Sequence, residues 1–207
     1  MLSAVEQEPS AIGYVSFGQL REGTKALCVN GVAAEAESIQ DGTYPLSRPF
    51  YLAHIGTLDE AEQDFHTYVK GKGQEIVGKS YVPIGKTTSF LSVKPEGNIR
   101  IHGSSSDGPL MEELVAEYCE INPNVTIEIE ISDSTDGLND AMAGKCEFGM
   151  ASREPADYEQ ELLDYDMIAR DGIAVIVHPD NPLGDITLAA LRGIYTGDIR
   201  TWKELNP

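Results

Sequence analysis

The sequence predicts an α/β fold with a mostly parallel sheet flanked by helices. Two observations support this prediction. From residue 98 onward, two kinds of segment follow one another along the chain. Short segments that are apolar, or that alternate apolar and polar residues, are followed by segments whose apolar residues recur at helical spacing. One short segment, residues 173–177 (IAVIV), is apolar at every position, which is typical of a strand in the middle of a parallel sheet.

The first 84 residues are predicted to form several strands and one helix. Strands are predicted at residues 11–17, 25–29, 32–36 and 50–54. The pair Asn30-Gly31 favours a hairpin turn. Residues 58–77 place apolar side chains at helical spacing, so a helix is predicted there that ends near Gly71 or Gly73. Residues 85–97 are polar and rich in turn-forming residues, and they are predicted to be a linker.

The second half is more regular. Strands are predicted at residues 98–102, 125–131, 146–151 and 173–177, and helices at 110–121, 136–143, 159–164 and 187–195, with a further turn over 198–205. Serine-containing loops follow the first three of these strands. The carboxyl ends of parallel strands are where α/β sheets bind ligands, so these loops are the candidate binding site.

Composition excludes several classes of function. The formal net charge of -19 argues against binding to nucleic acid or to anionic lipid. No apolar run is long enough to cross a bilayer, and residues 1–9 show neither the basic nor the apolar region of a signal peptide. The three cysteines form no CxxC pair and have no histidine nearby in sequence, so neither a disulfide scaffold nor a zinc site is predicted. We expect no metal and no cofactor.

Two enzyme motifs are incomplete in this chain. Residues 85–87 (GKT) lack the glycine that a P-loop places five residues before Gly85. Residues 103–107 (GSSSD) are similar to a nucleophile elbow but end in Asp rather than Gly. Pairing of a serine with His102 or His178 is geometrically conceivable, but neither histidine lies in a recognisable motif. We therefore predict no catalytic residues and no enzyme.

Segments along nearly the whole chain resemble one family. In the second half they are residues 103–110 (GSSSDGPL), 134–137 (STDG), 149–153 (GMASR), 171–177 (DGIAVIV), 181–182 (NP) and 194–205 (IYTGDIRTWKEL). In the first half they are residues 11–16 (AIGYVS), 25–32 (KALCVNGV), 44–49 (YPLSRP) and 81–84 (YVPI). The chain thus resembles the phosphate ABC-transporter substrate-binding protein family, which is PstS-like and has the type II periplasmic-binding-protein fold.

The segments stand in a permuted order relative to that family. The family's carboxy-terminal part comes first and its amino-terminal half second, and the central stretch with its Arg and Ser-Gly-Thr ligand loop is missing. A natural permutation, a junction of tandem copies and an engineered rearrangement all remain open. The resemblance implies an α/β ligand-binding lobe from residues 44–84 and 98–178, part of a second lobe from 1–43 and 179–207, and a linker at 85–97.

The resemblance also implies a set of ligand-binding residues. It assigns the hydroxyl groups of Ser106 and Ser134 and the N–H of Asp107 as donors to an oxyanion. The remaining members of the set are Ser105, Thr135, Ser152 and Arg153. A structural alternative exists for each, because Ser or Asp before a helix is commonly an N-cap and Arg153 is commonly a surface residue.

Three aspartates, Asp107, Asp133 and Asp136, flank this site. A carboxylate beside a bound dianion weakens binding unless it accepts the ligand's proton. The three acids therefore predict weakened binding or a different ligand, unless they turn outward as helix caps.

The function implied by the resemblance is that of an extracytoplasmic solute-binding protein, at the cell surface as a lipoprotein or in the periplasm. It would bind phosphate or a similar oxyanion and deliver it to the membrane subunits of an ABC importer. The alternative is a non-transport binding or interaction module that kept the fold but lost tight phosphate binding. A homodimer is a further expectation, since exposed apolar surface promotes association.

Overall fold

A computed structural model describes residues 1–205 of the chain. The helices are α1 (Leu2–Gln7), α2 (Ala36–Gln40), α3 (Glu60–Lys70), α4 (Gln74–Ser80), α5 (Gly108–Ile121), α6 (Ser134–Met142), α7 (Asp157–Gln160) and α8 (Leu188–Thr196). The strands are β1 (Ile12–Ser16), β2 (Lys25–Ala26), β3 (Cys28–Val29), β4 (Ser47–His54), β5 (Val82–Pro83), β6 (Gly97–Ser104), β7 (Val125–Ser132), β8 (Phe148–Ala151), β9 (Asp164–Val177) and β10 (Asp185–Ile186). Short 3-10 helices cover Phe17–Gln19 and Trp202–Leu205.

The chain divides into two compact units, residues 48–170 and residues 1–47 with 171–207. The lobes and linker drawn from the sequence stay predictions, and the last two residues of the predicted segment 179–207 lie outside the described residues. None of the helices within residues 1–205 combines the length and the apolar character that crossing a bilayer requires.

The sheet of the unit 48–170 is mixed in direction. Strand β6 is parallel to β7 on one side and to β8 on the other, whereas β4 is antiparallel to β8. Strand β5 is antiparallel to the first half of β9. The predicted α/β fold is confirmed, and residues 50–54 and 99–102 lie in one sheet, joined through β8. The parallel part is confined to β7, β6 and β8.

Both faces of this sheet are covered. One face carries the larger core, in which Phe65 and Tyr68 of α3 pack with Tyr118 of α5 and Phe148 of β8. The other face packs against α6 and includes Tyr51 of β4. Residues next to each other in β4 belong to different clusters because successive side chains of a strand point to opposite faces.

The predicted helix over residues 58–77 is two helices. Helix α3 has Asp59 as its N-cap, with its carboxylate accepting the N–H of Glu62. It ends at Lys70 with Gly71 as its C-cap, near the predicted end. Helix α4 follows after Gly73. Residues 84–96 contain no helix or strand, but Phe90 packs on Tyr68 from this segment. Phe90 thus packs this polar segment against the core, and its role as a linker stays a prediction.

In the unit formed by residues 1–47 and 171–207, β1 and β2 both pair antiparallel with the second half of β9. The prediction that residues 173–177 lie within a parallel sheet is therefore wrong. The segment 173–177 includes Ala174 and Ile176, whose side chains are buried with those of Val5 and Val15. An apolar run indicates burial on both faces of a strand, and burial does not determine the direction of the neighbouring strands.

Three local predictions can be compared directly with the structure. The turn at Asn30-Gly31 is confirmed, since both residues have positive φ (51° and 79°) and Val29 pairs with Val32 across it. The strand predicted at residues 32–36 is wrong, because Ala36 begins helix α2. The helix predicted at residues 159–164 is a single turn, α7, which ends at Gln160, and β9 begins at Asp164.

Candidate functional site

Three loops meet at the carboxyl edge of the parallel strands. Strand β6 ends at Ser104, β7 ends opposite it at Ser132, and β8 ends at Ala151. Helix α5 begins at Gly108, four residues after β6, and α6 begins at Ser134, two residues after β7. Because β6 is parallel to both neighbours, these loops and both helix N-termini gather at one edge of the sheet.

Glycines allow the backbones at this edge to approach closely. Gly103 has φ +131°, and a Cβ atom there would lie 2.4 Å from the carbonyl oxygen of Met150. A Cβ atom on Gly137 of α6 would lie 2.5 Å from the Cα atom of Gly103. The start of α6 can therefore pack directly on the ends of β6 and β8, which brings its first residue next to the serines of the other two loops.

Ser104, Ser134 and Ser152 form a hydrogen-bonded cluster, one serine from each loop. The Ser104 hydroxyl donates to Ser152 Oγ at 2.9 Å, and Ser134 Oγ lies 3.5 Å from Ser152 Oγ. The backbone N–H of Ser152 donates to Ser134 Oγ at 3.1 Å. Ser104 is 2% exposed and the other two are half-buried. Ser134 and Ser152 were predicted site residues, whereas Ser104 was not, although it was predicted to lie in the first serine loop, directly before Ser105 and Ser106.

Ser106 lies on the same loop and is contacted by an arginine from another strand. Arg48 Nη1 donates to Ser106 Oγ at 3.0 Å, and the N–H of Ser106 donates to Ser104 Oγ at 3.3 Å. The guanidinium carbon of Arg48 lies 5.5 Å from the centroid of the Phe50 ring. Arg48 was not predicted as a site residue, although it belongs to the family-like segment 44–49, since 58 positions separate it from Ser106.

The three flanking aspartates have different environments. Asp107 is fully buried, and its Oδ1 lies 3.4 Å from the hydroxyl of Ser104. Its N–H, predicted as an anion donor, donates to the carbonyl of Ser104 at 3.0 Å. Asp133 is the exposed N-cap of α6 and accepts the N–H groups of Thr135 and Asp136 at 2.7 and 2.9 Å. Asp136 is exposed in the first turn of α6. Asp133 is thus a helix cap, and Asp107 is the carboxylate buried beside the serines.

Arg153 is held in an ion pair with Glu159. Its Nη1 and Nη2 atoms lie 2.7 and 2.8 Å from the two carboxylate oxygens of Glu159, which is 0% exposed. The Arg153 guanidinium holds the pKa of Glu159 below its usual range, and Glu159 raises the pKa of Arg153. Nη2 of Arg153 also donates to Thr135 Oγ1 at 3.3 Å. Thr135 and Ser105 are exposed at the rim of the site.

The chain is similar to known proteins along its whole length. A family model described as a PBP superfamily domain matches residues 88–207. Phosphate-binding protein PstS 2 of Streptococcus pneumoniae is 37% identical over 208 residues, which cover 99% of this chain and 72% of that protein. PstS 2 of Streptococcus agalactiae is 37% identical over 210 residues, 100% of this chain and 72% of that protein. The chain belongs to the PstS family of phosphate-binding proteins.

A solved structure agrees with this assignment. The crystal structure of a phosphate-binding protein of a phosphate ABC transporter from Streptococcus pneumoniae superimposes with a TM-score of 0.95 at 36% identity, covering 99% of this chain and 81% of that one. The PstS resemblance predicted from the sequence is thereby confirmed. In this PstS-family chain, Ser106, Ser134 and Ser152 lie around Ser104, with Thr135 and Arg153 beside them. Their roles in ligand binding stay predictions.

The histidines of this PstS-family chain face other partners. His102 Nδ1 lies 3.0 Å from a carboxylate oxygen of Asp140, and its Nε2 lies 3.7 Å from Glu130. His178 Nδ1 accepts the N–H of Asp180 at 3.2 Å. Within residues 48–170, the ring of His102 is hydrogen-bonded to no serine of the cluster, so the conceivable pairing of a serine with His102 is not formed.

Proposed function

We propose that this PstS-family chain binds inorganic phosphate, or a closely similar oxyanion, at the serine cluster. The observation that carries the proposal is convergence: hydroxyl groups from three loops and the N-termini of α5 and α6 meet at one edge of the sheet. The first N–H groups of a helix have no partner inside the helix and lie at the positive end of the helix dipole, although at α6 the Asp133 carboxylate already accepts those of Thr135 and Asp136. Such a place favours an anion.

The hydrogen bonds of Ser134 suit it to donate. A serine hydroxyl has one proton and two lone pairs. The oxygen of Ser134 already accepts the N–H of Ser152, at 3.1 Å. Its proton is therefore available to an acceptor in front of α6, and a phosphate oxygen is such an acceptor.

Neutral donors matter here because the chain as a whole repels anions. The formal net charge is -19, so the long-range field opposes the approach of phosphate. Hydroxyl and amide donors act at contact distance, where orientation determines their strength. We infer that affinity depends on the local arrangement of serines and not on the general charge of the surface.

The physiological role we propose is that of the substrate-binding component of an ABC importer, acting outside the cytoplasm with the importer's membrane subunits. The names of the relatives support this, since the structurally similar protein from Streptococcus pneumoniae is described as part of a phosphate ABC transporter. The chain would act by binding and not by catalysis. The environment of His102 supports a binding role, because its two ring nitrogens face Asp140 and Glu130 and not a serine hydroxyl.

We also propose weak homodimerisation. Leu91 and Val93 are 92% and 72% exposed in the segment that joins β5 to β6, and exposed apolar side chains promote association. The net charge opposes it. Light scattering over a range of concentrations tests this proposal, and a constant monomer mass would contradict it.

Calorimetric titration of the full chain with inorganic phosphate tests the main proposal, with sulfate and chloride as comparison anions. We expect saturable binding of one phosphate per chain and no saturable binding of chloride. Absence of saturable binding of both phosphate and sulfate would overturn the proposal. That result would favour the alternative function, a non-transport module that kept the fold.

A further inference from the structure

Ser104 is the buried serine of the cluster, whereas Ser134 and Ser152 are half-buried. It is the last residue of β6 and is 2% exposed. Its hydroxyl donates to Ser152 Oγ at 2.9 Å, and its oxygen accepts the N–H of Ser106 at 3.3 Å. An anion that enters from solvent reaches the half-buried hydroxyls first, so Ser104 lies behind the residues that would contact it.

The Ser104 hydroxyl has one proton and two acceptors within reach. Ser152 Oγ lies at 2.9 Å, whereas Asp107 Oδ1 lies at 3.4 Å. Hydroxyl donors usually lie about 2.5 to 3.0 Å from their acceptors, so only the first distance is within that range. The proton of Ser104 is therefore directed to Ser152, even though the carboxylate is the stronger acceptor.

This bond determines what the hydroxyl of Ser152 can do. A single proton lies between two hydrogen-bonded oxygen atoms, so while Ser104 donates, the proton of Ser152 is directed elsewhere. Ser134 Oγ is 3.5 Å away and already accepts the N–H of Ser152, which makes it a weak acceptor for this proton. A bound anion is a charged acceptor, and hydrogen bonds to charged groups are stronger. Accepting from Ser104 also strengthens the bond that Ser152 donates.

We propose that Ser104 is a positioning residue, which the anion does not contact and which raises affinity by holding the Ser152 hydroxyl as a donor to the anion. This inference rests on the proposed function, since it assumes that an oxyanion binds at the serine cluster. Ser104 acts through Ser152, so its contribution exists only while Ser152 has a hydroxyl.

The test is a double-mutant cycle, measured by calorimetric titration of the full chain with inorganic phosphate at fixed pH and ionic strength. The variants are Ser104→Ala, Ser152→Ala and the two together. Ser104→Cys keeps the shape of the side chain but has a thiol, which is a weak donor, and it replaces Ser104→Ala in the cycle if that variant does not fold. Thermal unfolding shows whether each variant is folded.

Ser132→Ala is the matched control for this cycle. Ser132 lies opposite Ser104 in the register of β6 and β7, and its hydroxyl contacts the carbonyl of Asp133 at 3.4 Å. It is the last residue of its strand, as Ser104 is of β6. The substitution therefore removes a serine hydroxyl at the same edge of the sheet without removing a bond to Ser152, and it should bind phosphate as wild type does.

Ser152→Ala should raise the dissociation constant about 10- to 150-fold, the effect of losing a hydrogen bond to a charged group. Ser104→Ala and Ser104→Cys should each raise it about 3- to 10-fold, the effect of losing a hydrogen bond between neutral groups. In the Ser152→Ala background, Ser104→Ala should change it by less than about twofold, because the hydroxyl through which Ser104 acts is absent.

A second cycle tests the other bond of Ser104, to the N–H of Ser106. We expect the effects of Ser104→Ala and Ser106→Ala on the dissociation constant to multiply, as they do for residues that act independently. Effects that multiply with Ser152→Ala but not with Ser106→Ala would show that Ser104 acts through Ser106, and the proposed route would be wrong.

The outcomes separate this inference from the function on which it rests. If wild type binds phosphate but Ser104→Cys or Ser152→Ala binds it equally well, the positioning role is wrong while the oxyanion site stands. The role is also wrong if the effects of Ser104→Ala and Ser152→Ala multiply. If wild type binds no phosphate, both the proposed function and this inference fail.

Discussion

Replacing Ser134 with alanine removes the hydroxyl at the start of α6 and leaves the helix cap intact, because Asp133 provides the cap. If Ser134 donates to a bound phosphate, the loss is that of a hydrogen bond to a charged group, about 1.5 to 3 kcal/mol. The dissociation constant should then rise about 10- to 150-fold. Ser152 loses the acceptor of its N–H as well. Water can replace that acceptor at a half-buried position, so unfolding free energy should fall by no more than about 1 kcal/mol.

The measurement is calorimetric titration with phosphate at fixed pH and ionic strength, combined with urea denaturation of the same samples. Ser132→Ala is the matched control, since Ser132 lies at the end of β7 and its hydroxyl contacts the carbonyl of Asp133 at 3.4 Å. We expect Ser132→Ala to bind as wild type does. A folded Ser134→Ala variant whose dissociation constant stays within about twofold of wild type would refute the assignment of Ser134 as a donor. Equal weakening by Ser132→Ala would refute the proposed specificity of the site.

Three further substitutions test the buried parts of the site. Gly103→Ala places Cβ against a backbone carbonyl and should lower the unfolding free energy in urea by about 3 kcal/mol or more, whereas Gly144→Ala, at positive φ in open space, should cost only about 1 kcal/mol. Glu159→Gln should lower it by about 1 to 3 kcal/mol at neutral pH. Because the folded-state pKa of Glu159 is lowered, this difference from wild type should vanish as pH falls through that pKa, and a difference that persists in acid would contradict the ion-pair explanation. Asp107→Val should tighten phosphate binding measured by calorimetry, since it removes a buried carboxylate, while loss of binding would show that Asp107 accepts the ligand's proton.

Local patterns in the sequence were sufficient to predict the elements that carry the site. The strict alternation of residues 125–131 corresponds to β7, and the helical spacing after residue 110 corresponds to α5. A period of two or of 3.6 residues states which side of an element is buried, and this information lies within a few neighbouring residues. Local patterns also placed the serine loops at the carboxyl edge of the sheet, once β6, β7 and β8 were taken as parallel strands.

The direction of strands was predicted less well. Residues 173–177 are apolar because both faces of β9 are covered, yet β1 and β2 run antiparallel to this strand. Strand β4 is likewise antiparallel to β8, within the same unit as the parallel strands. Hydrophobicity encodes burial, whereas direction depends on how distant segments of the chain connect, and no local pattern contains that information.

By itself, the sequence determined the fold class, the family and the position of three serine loops at the edge of a sheet. Only the tertiary structure decided which side chains act together there. In the folded chain, Arg48 is hydrogen-bonded to Ser106, and Arg153 forms an ion pair with Glu159. Asp133 is the N-cap of α6, whereas Asp107 is buried. The physical reason is that a hydrogen bond depends on distances of about 3 Å and on angles. Those quantities arise only when residues far apart in the chain are packed against one another.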